Sequence, residues 1–124
     1  MRLVIHDDDS KVGDYVAEYV RKRIAEFGPT EDKPFVLGLP TGSTPIKTYE
    51  KLVDYHLHNQ LSFEHVVTFN MDEYCEIPHD HPESYHSFMW KHLFSKVNIK
   101  PSNVNILDGN AADLQTECLR FEDK

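Results

Sequence analysis

The chain has 124 residues, with 13 Lys and Arg against 21 Asp and Glu, for a formal net charge of −8. That length suits one domain able to bury a core, and the acidic balance argues against sequence-independent binding to nucleic acid or to an anionic membrane surface. The opening MRLVIHDDDS is too poor in apolar residues for a signal peptide, and no apolar run approaches the roughly 20 residues of a membrane span. Cys75 and Cys118 form no Cys-x-x-Cys pair, so free thiols in a reducing compartment are expected.

Leu3, Val4 and Ile5 predict a short first strand. Asp7-Asp8-Asp9-Ser10 then supplies caps and negative charge suited to a helix entrance. Val12, Tyr15, Val16, Tyr19, Val20, Ile24 and Phe27 recur at helical spacing up to Gly28-Pro29. Phe35 to Leu39 is apolar without alternation, as expected of a strand covered on both faces. A second helical stripe runs through Ile46, Tyr49, Leu52, Val53 and Leu57, with Thr44 as its expected cap and Pro45 at its first position.

A strand is expected over His65 to Asn70, and a helix carrying Tyr85, Phe88, Met89, His92 and Leu93 after the polar loop HDHPES, opening at Pro82. Val104 to Leu107 predicts a fourth strand. A last helix from Ala112 carries Leu114, Cys118, Leu119 and Phe121 and reaches Lys124 without a stop signal. Fourfold strand–helix alternation without a linker implies a single α/β domain over residues 1–124, a doubly wound, mostly parallel sheet with helices on both faces.

Such sheets bind ligands outside the carboxyl ends of their strands. Two segments fall there, PTGSTP after the second expected strand and NMDEY after the third. In the first, Thr41, Gly42, Ser43 and Thr44 offer hydroxyls, a close backbone approach and helix-entrance amides suited to a phosphate. The turn lacks both the P-loop and the dinucleotide pattern, so a small monophosphate fits better. The same residues also satisfy an ordinary strand-to-helix turn.

Asp72 and Glu73 are adjacent at a strand end and so point apart. One can serve as a base while the other turns into structure or meets a cation. A carboxylate near a sugar-phosphate carbonyl can take the proton from the neighbouring carbon, the opening step of aldose–ketose isomerisation. Burial behind the strand would raise its pKa. The alternative is a capping Asp72 and a solvated Glu73. His79-Asp80-His81 with His86 fits no structural zinc spacing, and Cys75 has no evident base partner. No metal is expected.

The segments LGLPTGSTP, VVTFNMDEY, HPESYHSFMW and ILDGNAADLQTEC, in this order and spacing, resemble the glucosamine-6-phosphate deaminase (isomerase) family. The related 6-phosphogluconolactonases resemble it in fold and glycine turn but lack the FNMDEY…HPESY block. The resemblance implies a Rossmann-like fold and conversion of glucosamine 6-phosphate and water to fructose 6-phosphate and ammonia, without metal or organic cofactor. By the same resemblance, Asp72 is the base moving a proton between C2 and C1 through an enolamine, and Thr41, Gly42, Ser43 and Thr44 hold the 6-phosphate. Glu73 receives no chemical step.

Family members are cytoplasmic, and many are hexamers, some activated by N-acetylglucosamine 6-phosphate. They are also about twice as long. The chain therefore resembles an N-terminal half, without the family's ring-opening acid-and-histidine motif, the lysine and arginine of the phosphate site and most of the allosteric site. Low stability and little or no deaminase activity are expected of it alone, with an unpaired sheet edge. A lactonase-like hydrolase and a non-catalytic sugar-phosphate sensor are the competing functions.

Overall fold

A computed structural model describes residues 1–124. Its elements in order are α1 (Asp9–Phe27), β1 (Phe35–Leu39), α2 (Ile46–Leu57), β2 (Val66–Asn70), α3 (Tyr85–His92), 3-10 turns at Phe94–Lys96 and Pro101–Asn103, β3 (Val104–Asn105) and α4 (Leu114–Glu122). The sheet order is β1-β2-β3, all parallel, with Phe35 opposite Val66, Leu39 opposite Asn70, and Thr68 opposite Val104.

α1 is set by its ends. Asp8 accepts the Lys11 amide at 2.8 Å, and Gly28, at φ 62°, donates its amide to the Ile24 carbonyl. That left-handed stop is accessible to glycine without steric cost. Between the ends, Ala17 and Ile24 face the core, and Gly13 lets α2 approach so closely that an added Cβ would stand 2.7 Å from the Lys47 Cβ.

One face of the sheet, carrying Phe35, Leu37 and Leu39 beside Val66, Thr68 and Asn70, meets α1, α2 and α3. Its core includes Tyr49, Leu52, Phe63, Val66, Met89, Leu93 and Phe94. Fully burying each large apolar side chain contributes about 1.5–3 kcal/mol. Side-chain alternation turns Val36 and Phe69 to the second face. There α4 sets Phe121 edge-on against Phe69 with ring centroids 5.6 Å apart, so the chain crosses the sheet after β3 and helices stand on both faces.

Several expectations from the sequence change. Residues 3–5 form no strand: residues 1–6 stay outside the ladder, Leu3 and Ile5 are each 83% exposed, and the segment docks through His6, whose ring lies 5.3 Å from that of Tyr15. β1 is covered mainly on one face, since Val36 is 61% exposed. α2 begins at Ile46 with Pro45 as its N-cap and no side-chain cap, so Thr44 does not take that role. α3 begins three residues after Pro82, capped by Ser84, which accepts the Ser87 amide at 3.0 Å. β3 ends at Asn105, and α4 starts at Leu114 behind Asp113.

Candidate site at the carboxyl edge of the sheet

β1 ends at Leu39 and releases the chain into Pro40-Thr41-Gly42-Ser43-Thr44-Pro45. Gly42 sits at φ 108°, with nothing within 4 Å of where a Cβ would stand. Backbone conformation demands the glycine here, and the surface above it is open. The amides of Thr41, Gly42, Ser43 and Thr44 donate to no protein acceptor, while Ser43 and Pro45 carbonyls receive the Ile46 and Tyr49 amides. A turn with unspent donors at a helix entrance has the arrangement that suits an anion.

Next to it β2 ends at Asn70, and the chain passes Met71 to Asp72 and Glu73. The two carboxylates separate. Asp72 is exposed, so the burial expected for it is absent. Glu73 turns inward and accepts the amides of Tyr74 and Tyr85, each at 2.8 Å, and of His86 at 2.9 Å. Glu73 therefore takes the first free amides of α3, a negative charge at the positive end of a helix. Its partners lie up to 13 positions along the chain, beyond any local sequence signal.

The loop from Asp72 to Ser84 is fixed at further points. Gly109, after β3, passes so close that an added Cβ would stand 1.9 Å from the Tyr74 carbonyl oxygen. Its own carbonyl accepts the Glu76 amide at 3.0 Å, and the Asn110 side chain donates to the Ile77 carbonyl at 2.7 Å. The His79 carbonyl accepts the hydroxyls of Ser84 at 2.6 Å and Ser87 at 2.8 Å. On α4, Glu117 accepts the Asp108 amide at 2.8 Å and pairs with Arg120, and these contacts lower its pKa from 4.5 to about 2, the arginine most.

Tyr85 brings the two segments together. Its ring lies 4.8 Å from that of Tyr74. Its hydroxyl is pushed to a higher pKa first by the neighbouring Tyr74 hydroxyl, then by burial and by the negative charge of Asp72, while the Thr41 side chain pulls it the other way. Thr41, Asp72, Tyr74 and Tyr85 are thus neighbours at one edge. Sequence periodicity marked Tyr85 only as an apolar-stripe residue of α3.

The histidines behave as structure. His79 Nε2 stands 2.9 Å from Asp108 Oδ1, and its ring stacks on that of His86 at 5.2 Å. Burial and the neighbouring His79 hold the His86 pKa below its ordinary value, against the opposing charge of Glu73. No group of three or more His, Cys, Asp or Glu side chains is gathered as metal ligands would be. Cys75 and Cys118 are exposed free thiols.

A parallel α/β sheet with helices on both faces, an open, donor-rich turn and a free carboxylate at its carboxyl edge is a Rossmann-like domain. Within that class, residues 7–124 match the model of the glucosamine-6-phosphate isomerases/6-phosphogluconolactonase family, and the chain belongs to that family. It is 56% identical over 124 residues to glucosamine-6-phosphate deaminase 1 of Bos taurus and 56% identical to glucosamine-6-phosphate deaminase of Aeromonas salmonicida, covering 43% and 47% of their lengths. The chain thus spans less than half the length of these curated relatives.

Among solved structures, a monomeric glucosamine-6-phosphate deaminase superposes with a TM-score of 0.91 at 36% identity, over 99% of this chain and 49% of that one. The 6-phosphogluconolactonase of Thermotoga maritima superposes at 0.72 with 22% identity over 90% of this chain and 48% of that one, a likeness of fold. No helix is long and apolar enough to cross a membrane.

Proposed function

We propose that this chain supplies the phosphate-holding turn and the proton-transfer base of a glucosamine-6-phosphate deaminase, which makes fructose 6-phosphate and ammonia. The observation that carries the reading is the placement of an exposed, unpaired Asp72 beside a turn whose four successive amides are unspent. The 6-phosphate sits on Thr41, Gly42, Ser43 and Thr44, where amides and hydroxyls meet its oxygens.

In the open-chain substrate, Asp72 takes the proton from C2. The electron pair moves to form the C1–C2 double bond of an enolamine, and the C1 carbonyl oxygen is protonated. Return of a proton to C1 gives an imine at C2, and water then displaces ammonia to leave the ketose. Glu73 takes no part in these transfers, because its carboxylate is committed to three amides. The steps ask for no metal or organic cofactor. Cytoplasmic location and self-association follow from the family resemblance, although the relative with the 0.91 superposition is described as monomeric.

The test follows exchange of the C2 proton of glucosamine 6-phosphate with solvent deuterium, together with ammonia release. Exchange should be measurable with the chain and lost in Asp72→Asn. Multiple turnover should be slow, since the relatives named deaminases are more than twice as long. Undiminished exchange in Asp72→Asn would overturn the reading. The family description also covers 6-phosphogluconolactonase, whose lactone hydrolysis needs no base at C2. Hydrolysis surviving Asp72→Asn, with no exchange in the unaltered chain, would select that activity. Saturable phosphosugar binding without either reaction would select a sensor.

A further inference from the structure

At the end of β1 two consecutive carbonyls are each taken by a buried side chain from another element. Asn70 of β2 donates its side-chain amide to the Leu39 carbonyl at 2.8 Å. The hydroxyl of Tyr49, from the second turn of α2, donates to the Pro40 carbonyl. Asn70 is 1% exposed and Tyr49 2%. These contacts fall where the strand ladder stops: Leu39 and Asn70 are the last paired residues of β1 and β2, and no main-chain hydrogen bond joins residues 40–44 to residues 71–74.

Neither polar group is what core filling alone would select. A phenylalanine and a leucine would occupy the same space without the cost of burying a hydroxyl and an amide. That cost is only partly offset at Asn70, whose side-chain oxygen is buried with no hydrogen-bond partner. Burial also pushes the Tyr49 hydroxyl pKa far up, so it remains a proton donor throughout the range in which proteins fold. What the two donors provide is direction. They hold the carbonyls of residues 39 and 40 inward; Pro40 has no N–H, so the amide oriented directly is that of Thr41, which points opposite the Pro40 carbonyl and out of the turn. Asn70, two positions before Asp72, does this from the strand that delivers the carboxylate.

We infer that Tyr49 and Asn70 are positioning residues, two buried donors on the Pro40 and Leu39 carbonyls that fix the donor-rich turn in register with Asp72. The inference rests on the phosphate reading of that turn for its functional meaning, but the tether itself is independent of any ligand.

The experiment uses Tyr49→Phe, which removes one oxygen, and Asn70→Leu, which keeps the approximate shape but has no donor in either protonation state. For each, 15N relaxation order parameters of the Thr41 to Thr44 amides are measured in the free chain, inorganic phosphate is titrated against the same amides, and the urea midpoint is recorded. In the unaltered chain the turn should be as rigid as the strands, with order parameters near about 0.85, falling below about 0.6 in the variants. Phosphate should bind about tenfold more weakly to each variant, the loss expected for one hydrogen bond in the site.

Turn amides as rigid in both variants as in the unaltered chain would overturn the inference. So would a lowered urea midpoint with turn mobility and phosphate affinity unchanged, because that describes a structural role only. Mobile variants of a chain whose turn never responds to phosphate would keep the tether and overturn the phosphate reading instead. If Asn70→Leu does not fold, Tyr49→Phe alone decides, since losing a hydroxyl leaves the ring in place.

Discussion

The carboxylate of Glu73 accepts the backbone amide of Tyr85 at 2.8 Å, across a loop of twelve positions. One bond joins the residue after Asp72 to the first residue of α3. Glu73 is thus a remote helix cap, with its second oxygen on the amide of His86. Glu73→Ala leaves three amides without their acceptor and should destabilise the chain by about 1–3 kcal/mol. Glu73→Gln, which keeps an acceptor oxygen, should cost less. Urea denaturation of both variants checks the order.

Gly109 is required by proximity, not by its backbone angles. A methyl group there would stand 1.9 Å from the Tyr74 carbonyl oxygen and 2.8 Å from its carbon, so the main chain must move. Gly109→Ala should cost about 1–3 kcal/mol, as overpacking does. Amide chemical shifts should change first around residues 74–77. A melting temperature and an amide spectrum unchanged from the parent chain would contradict the contact.

Glu117 supplies a pH dependence with a definite sign. Arg120 first, then the Asp108 amide, hold its pKa at about 2 against an ordinary 4.5. A lowered folded-state pKa means that its contribution to stability is fully present above about pH 4.5 and is lost as pH falls toward about 2. Glu117→Gln should therefore be less stable than the parent near neutral pH, and the two stability curves should converge near pH 2. Denaturant midpoints across that range provide the check.

β1 offers a contrast along one strand. Leu39 is 4% exposed and Val36 61%. Leu39→Ala should cost about 2–5 kcal/mol, whereas Val36→Thr in the chain as it stands should fall within about 0.5 kcal/mol of the parent. Equal losses would mean that Val36 is covered in solution.

Much of this architecture is legible in the sequence because it is local. The stripe from Val12 to Phe27, its Asp8 entrance and its Gly28 stop define α1, and the parallel sheet follows from alternating strand and helix signals. The placement of PTGSTP and NMDEY at one edge follows from the same alternation. What stays hidden depends on distant partners. Leu3 to Ile5 have strand composition but no backbone beside them to complete a ladder. Thr44 has the chemistry of a cap, yet α2 starts after Pro45. Glu73 and Tyr85 are tied by folding alone, and no local pattern points from Asn70 or Tyr49 to the carbonyls they hold.

The contact between Gly109 and Tyr74 also bears on how such a sequence can drift. Because the Asp72 loop is gauged at this point by main chain against main chain, its own side chains between residues 75 and 83, His79 apart, can vary more freely than its backbone. Position 109, remote in sequence from Asp72 and from the glycine turn, can accept nothing larger than hydrogen unless the loop moves with it. A deletion or insertion between β3 and α4 would then shift Asp72 as surely as a change beside it.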